Sequence, residues 1–135
     1  MKRYGLAAAL ALLPVGASAD DYGLSLTDTG KREYYCQIMV TLENRTDETL
    51  GEVSGYFYGF IGDEQVGRSR GAWFMNVEAG GFATSTFETP GAPCDLVERY
   101  EFIVGACRFS AGFEDKEDCA GRIGTNAPIA GARSP

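Results

Sequence analysis

No histidine occurs in the 135-residue sequence. That absence removes a Ser-His-Asp or Cys-His apparatus and any histidine-ligated zinc site. Basic residues are also scarce: 12 Lys and Arg stand against 19 Asp and Glu, a formal net charge of −7. So acidic a chain repels nucleic acid and anionic lipid surfaces, and no nucleic-acid partner is expected. The sequence has no G-x-G-x-x-G, no P-loop, no G-x-S-x-G and no C-x-x-C. The missing C-x-x-C argues against both a zinc knuckle and a thioredoxin-like centre. Helical spacing of apolar residues is missing too, since no run keeps it over three turns.

What is present begins with Met1, Lys2 and Arg3, an apolar run from Gly5 to Val15, and Gly16-Ala17-Ser18-Ala19 before Asp20. Positive start, short apolar stretch and A-x-A site make the three-part layout of a secretory signal peptide. The run is shorter than the roughly 20 residues of a membrane span, and Pro14 breaks it. No cysteine follows the small residues, so a lipid anchor is not expected. Residues 1–19 therefore read as a leader, 20–127 as one β-sandwich domain and 128–135 as a loose C-terminal tail. Cleavage after Ala19 removes two basic residues and leaves a still more acidic protein, periplasmic or secreted and not membrane-spanning.

The cysteines are Cys36, Cys94, Cys107 and Cys119. An even number in an exported chain reads as two disulfides. In an Ig-like arrangement the strands that follow Cys36 and Cys94 start at the same end of the domain. Cys107 and Cys119 flank a loop short enough to close as a hairpin. The expected pairing is thus Cys36–Cys94 with Cys107–Cys119. Strict alternation, however, puts Cys107 on the face opposite Phe102 and Val104, from which it could reach Cys36 and leave Cys94 for Cys119.

Period-two patterning is clearest over 34–43, where Tyr34, Cys36, Ile38, Val40 and Leu42 share a face. Further strands are expected at 22–28, 53–61, 65–72, 82–89 and 99–109. Trp73 to Val77 is apolar without alternation. One helical turn is expected over 95–98, a loop with an acidic cluster over 110–118, and a short final strand near 121–127. In the run 53–61, Gly55 and Gly59 suggest a bulge or the close approach of a neighbouring chain. Asn44-Arg45-Thr46 matches a glycosylation sequon, but a polar turn accounts for it more simply. The fold class is all-β: a small, disulfide-stapled sandwich of about six to seven antiparallel strands.

Residues 38–88 resemble an FxLYD-type domain, a small β-sandwich module of bacterial exported proteins. The likeness rests on Val40-Thr41-Leu42-Glu43-Asn44-Arg45-Thr46, Leu50-Gly51-Glu52-Val53, Tyr56-Phe57-Tyr58, Gln65-Val66-Gly67 and Val77-Glu78-Ala79-Gly80-Gly81 before Phe87. The naming motif is not met: Phe57-Tyr58-Gly59-Phe60 stands where F-x-L-Y-D belongs. The four cysteines, with Pro90-Gly91-Ala92-Pro93-Cys94-Asp95, also resemble a group of small four-cysteine exported proteins of alphaproteobacteria. Both likenesses imply an Ig-like or FxLYD-like sandwich in a Gram-negative periplasm, and neither implies an enzyme.

No catalytic residue, cofactor or metal ligand is assigned. Carboxylate pairs could run glycoside hydrolysis, but 19 acidic residues make some pair inevitable. The cluster Glu114, Asp115, Glu117, Asp118 lacks calcium-loop spacing and reads as a charged turn. A contact surface is the sharper candidate: Tyr56, Tyr58 and Phe60 on one face of their strand, with Trp73 and Phe74 nearby in sequence. The expected function is a non-catalytic binding or interaction module whose partner is another periplasmic or envelope protein. The alternative is a structural accessory domain of the envelope without a specific ligand.

Overall fold

The computed structural model describes residues 21–31, 35–68, 71–90, 94–110 and 112–135. The expected leader lies outside them. Ten strands form two sheets: β1 (Tyr22–Lys31), β2 (Tyr35–Asn44), β3 (Leu50–Ile61), β4 (Glu64–Arg68), β5 (Ala72–Val77), β6 (Phe82–Pro90), β7 (Arg99–Phe109), β8 (Gly112–Phe113), β9 (Ile123–Thr125) and β10 (Ile129–Arg133). A 3-10 turn, Cys94–Leu96, precedes β7, and the one short helix among the described residues, α1 (Lys116–Gly121), precedes β9.

The first sheet runs β6-β2-β1-β9. The second runs β10-β7-β3-β4, with β5 on the same edge of β3 as β4, and β8 on β7. Alternation works as the physics of a pleated strand requires. Ile38, Val40 and Leu42 of β2 point inward and are fully buried. They meet Val53 and Phe57 of β3, Phe74 of β5, Phe87 of β6, and Phe102 and Val104 of β7 in one core. Phe57 stacks on Phe87 and lies tilted against Phe102, both at 4.9 Å between ring centroids. Buried aromatics of this kind contribute beyond their area, by about 0.5–1.5 kcal/mol per pair.

The all-β sandwich expected from the sequence is what forms, but with more strands than expected and with two parallel pairings. β9 runs parallel to β1, and β10 parallel to β7. The segment expected to be a loose tail holds β10: Ile129 is buried, and Ala132 and Arg133 pair with Phe102 and Ile103. Its sequence, Ile-Ala-Gly-Ala-Arg, offers a single large apolar residue, so backbone hydrogen bonds along β7 hold it rather than a patterned face. The expected loop over 110–118 likewise contains β8 and the start of α1.

The Asn44-Arg45-Thr46 turn is built on Asn44, which is fully buried. Its amide nitrogen donates to the carbonyls of Glu48 (2.8 Å) and Val77 (3.0 Å), and its Oδ1 accepts from the Thr46 backbone N–H (3.0 Å) and hydroxyl (2.7 Å). A side chain so enclosed is a structural hub, not a glycan acceptor.

Cys107 and Cys119 form a disulfide with Cα atoms 6.3 Å apart, tying β7 to α1. Both are fully buried. The alternative pairings through Cys107 are thereby excluded. Cys94 is also disulfide-bonded, and the Cys36 side chain lies outside the described residues. The parity objection to Cys107 is corrected by a bulge. Gly55 of β3 faces Val104, whereas Ser54 faces Ala106, so Gly105 is an extra residue on β7. The extra residue reverses the alternation, and Cys107 and Phe109 turn into the core with Phe102 and Val104.

Candidate functional site

Register places the candidate contact residues. On the outer face of the second sheet, β3 presents Tyr56, Tyr58 and Phe60 in a row, because their neighbours Phe57 and Gly59 point into the sandwich. Across the ladder, Tyr56 faces Ile103, Tyr58 faces Glu101 and Phe60 faces Arg99 on β7. On the opposite edge, Tyr58 faces Arg68 of β4. Beyond Ile103 lies Arg133 of β10.

β5 alternates only over its first four residues, and the pattern breaks at Asn76, which has a φ of 53° and is exposed next to exposed Met75. Ala72, Phe74 and Val77 are buried, while Trp73 and Met75 face out. Phe74 is therefore removed from the contact surface: it is fully buried and packs edge-on against Phe87. Trp73, in contrast, is 58% exposed. It faces Ser54 across the ladder, and its indole leans back over Gly71, where a Cβ would come within 2.5 Å of the ring. Ala72 faces Gly55, so Gly71 lies alongside Tyr56. Trp73, Tyr56, Tyr58 and Phe60 thus make one strip along the strands.

Guanidinium groups border this strip. Arg68 sits over the Tyr56 ring at 5.0 Å, and Arg99 over the Phe60 ring at 4.3 Å. Cation–π contact of this sort holds a long side chain flat against a surface. Arg99 also donates to the Gly62 carbonyl and lies 3.7 Å from Glu101. Arg133 pairs with the same Glu101 at 2.9 Å. One carboxylate therefore serves two arginines. Tyr56 and Tyr58 lie tilted, with centroids 5.4 Å apart. The sequence pointed to the three β3 aromatics and Trp73; it gave no sign of Arg68, Arg99, Arg133 or Ile103. The available signal was an arginine at one end of β4, β7 and β10, which has no meaning until the register is known.

The outer face of the first sheet differs in chemistry. Thr41 and Thr84 share a hydrogen bond at 3.1 Å, Thr27 donates to the Met39 carbonyl, and Arg45 pairs with Glu43 at 3.2 Å. A shallow hollow of about 290 Å³ lies there between Glu43, Arg45 and Gly124–Asn126. The acidic cluster serves α1: Asp115 is its N-cap and accepts from the N–H groups of Glu117 (2.8 Å) and Asp118 (3.1 Å). Acidic residues in a first helical turn also complement the helix dipole. Among the described residues no group of three or more Cys, Asp or Glu side chains is placed to hold a metal ion. No helix of the described residues is long and apolar enough to cross a membrane.

Comparison of the chain with protein families, with curated proteins and with solved structures gives no match in any of the three.

Proposed function

We propose that the protein is an exported, non-catalytic binding module that holds another periplasmic or envelope protein against the outer face of its second sheet. The observation that carries this reading is Trp73, 58% exposed at the end of a strip of half-buried aromatics bordered by Arg68, Arg99 and Arg133. Trp, Tyr and Arg are the residues most enriched in the energetic centres of protein interfaces. Other large apolar side chains are exposed as well, Phe82 and Phe113 among them, but Trp73 is continuous with the aromatic row of β3, and it is contiguous apolar surface that marks a contact site. Export is supported by the leader-like residues 1–19 and by a buried disulfide, which persists in oxidising compartments. The FxLYD-like reading of residues 38–88 belongs to the same proposal, since its Asn-x-Thr turn is here the buried hub at Asn44.

A structural accessory domain is the second reading. Its support is the stacking of Arg68 and Arg99, which covers Tyr56 and Phe60 from within the chain. A photo-cross-linking residue at position 73, with one at position 84 on the other sheet as control, separates the two in cells of a Gram-negative host. A discrete adduct from 73 alone supports the module, with the purified chain beginning at Asp20 by intact mass. Indistinguishable patterns from both positions would sink it.

A further inference from the structure

The protein as a whole is acidic, with 12 basic against 19 acidic side chains. The strip on the second sheet has the opposite character. Arg68, Arg99 and Arg133 border it, and the carboxylate set among them, Glu101, is engaged by both Arg99 and Arg133. Glu52, further along β3, accepts a hydrogen bond from Ser54 at 3.0 Å. Arg68 has no carboxylate within ion-pair distance among the described residues, and it is exposed. Its guanidinium lies over the Tyr56 ring, a contact that restricts the side chain, so part of the entropy that an arginine loses on pairing is already spent.

We propose that this face takes an acidic protein segment, with a carboxylate of the partner received by Arg68 and the partner's apolar side chains laid on Trp73 and Tyr58. The inference rests on the reading of this face as a protein contact surface and names the chemistry of what it contacts. Charge complementarity sets the sign of the partner: the three guanidinium groups of Arg68, Arg99 and Arg133 outnumber the carboxylates of Glu101 and Glu52 on this face, which leaves positive charge uncompensated. Arginine receives a carboxylate through two parallel N–H donors, and a guanidinium already placed over a ring has fewer arrangements to give up on doing so. A protein segment fits better than an acidic glycan. Sugar hydroxyls need several fixed hydrogen-bonding side chains, and here Glu101, Glu52 and Ser54 are each engaged within the chain.

Trp73 is the sole tryptophan, so its emission reports this face directly. The full mature protein is titrated with three probes: a peptide alternating Glu and Leu, the same peptide with Gln for Glu, and an oligogalacturonate. The expected result is a saturable shift of Trp73 emission by the Glu peptide at least about tenfold tighter than by the Gln peptide, with most of the difference lost in high salt. Arg68→Gln removes the preference, whereas Arg45→Gln, on the other sheet, leaves it intact. Thermal melting of both variants checks that they fold, and Arg68→Glu, tested with a Lys-Leu peptide, is expected to show the preference reversed. Equal binding of the Glu and Gln peptides, unaffected by Arg68→Gln, overturns the acidic partner and leaves the contact surface standing. Tighter binding of oligogalacturonate than of the Glu peptide overturns the protein partner in favour of a glycan. No response to any probe, together with indistinguishable cross-linking from positions 73 and 84, overturns the surface itself.

Discussion

The ring of Tyr22 lies parallel to that of Phe109, with centroids 5.7 Å apart. Arg122 covers both rings, at 5.3 and 4.4 Å, and pairs with Asp21 at 2.9 Å. Burial raises the Tyr22 phenol above its ordinary value of 10.0, against the opposing pull of the Arg122 charge and a hydrogen bond with Thr46. A phenol raised on folding binds its proton more tightly in the native state than in the unfolded one. Its contribution is therefore complete below the unfolded value of about 10 and is lost as pH rises through the folded value. Urea unfolding at about pH 8 and about pH 11 tests this on the native protein and on Tyr22→Phe. The native protein is expected to lose more stability between the two conditions than the variant does. At the lower pH the variant is expected to be weaker by about 1 kcal/mol, for the lost hydrogen bond. Equal losses on raising the pH would show that Tyr22 is not the titrating group.

β3 and β7 approach closely at Gly55, beside the bulge at Gly105. A Cβ on Gly55 would stand 2.0 Å from the Ile103 carbonyl oxygen, which is backbone and cannot swing aside. Gly55→Ala is expected to cost about 3 kcal/mol, read as a lower urea midpoint, because β7 must shift away from β3 and carry its bulge with it. A change under about 0.5 kcal/mol would mean that the two strands are not so closely apposed. The close approach at Gly55 was legible in the sequence as a glycine inside an aromatic strand. Its partner effect was not: Gly105 reads as one more small residue in an alternating run, and only pairing with β3 reveals it as the inserted one. Long strands with a polar and an apolar side were legible, and Arg99–Phe109 was expected with the ends it has, but the strand expected over 65–72 is split: β4 ends at Arg68 and Ala72 opens β5. Trp73-Phe74-Met75 was opaque, since three consecutive apolar residues carry no information about which one faces in. The short strand expected near 121–127 is β9, whereas β10 was opaque for a different reason, as a short edge strand is held by a neighbour's backbone and needs no pattern of its own. The contact strip was half legible: the aromatics announce themselves, whereas the arginines join them only through strand register.

At the scale of the molecule, the Cys107–Cys119 bond closes a loop of sequence separation 12 and fastens α1 to the centre of the second sheet. The closure of a loop this size is worth about 3 kcal/mol on the chain-entropy account. Cys107→Ala with Cys119→Ala is expected to lose at least that much, since both positions are also fully buried and would leave empty space. Guanidinium denaturation measures it, and a loss below about 1 kcal/mol would contradict the expectation. The parallel pairings of β9 with β1 and of β10 with β7 have a further consequence. Each sheet receives its last strand from residues beyond 122. A chain delivered N-terminus first, from a ribosome or through a pore, cannot finish either sheet until those residues have cleared the exit. Until then β1 and β7 each keep a row of unpaired N–H and C=O groups, the kind of edge on which stray strands from other chains add. For this protein the hazardous interval is the time between the arrival of β7 and the arrival of β10.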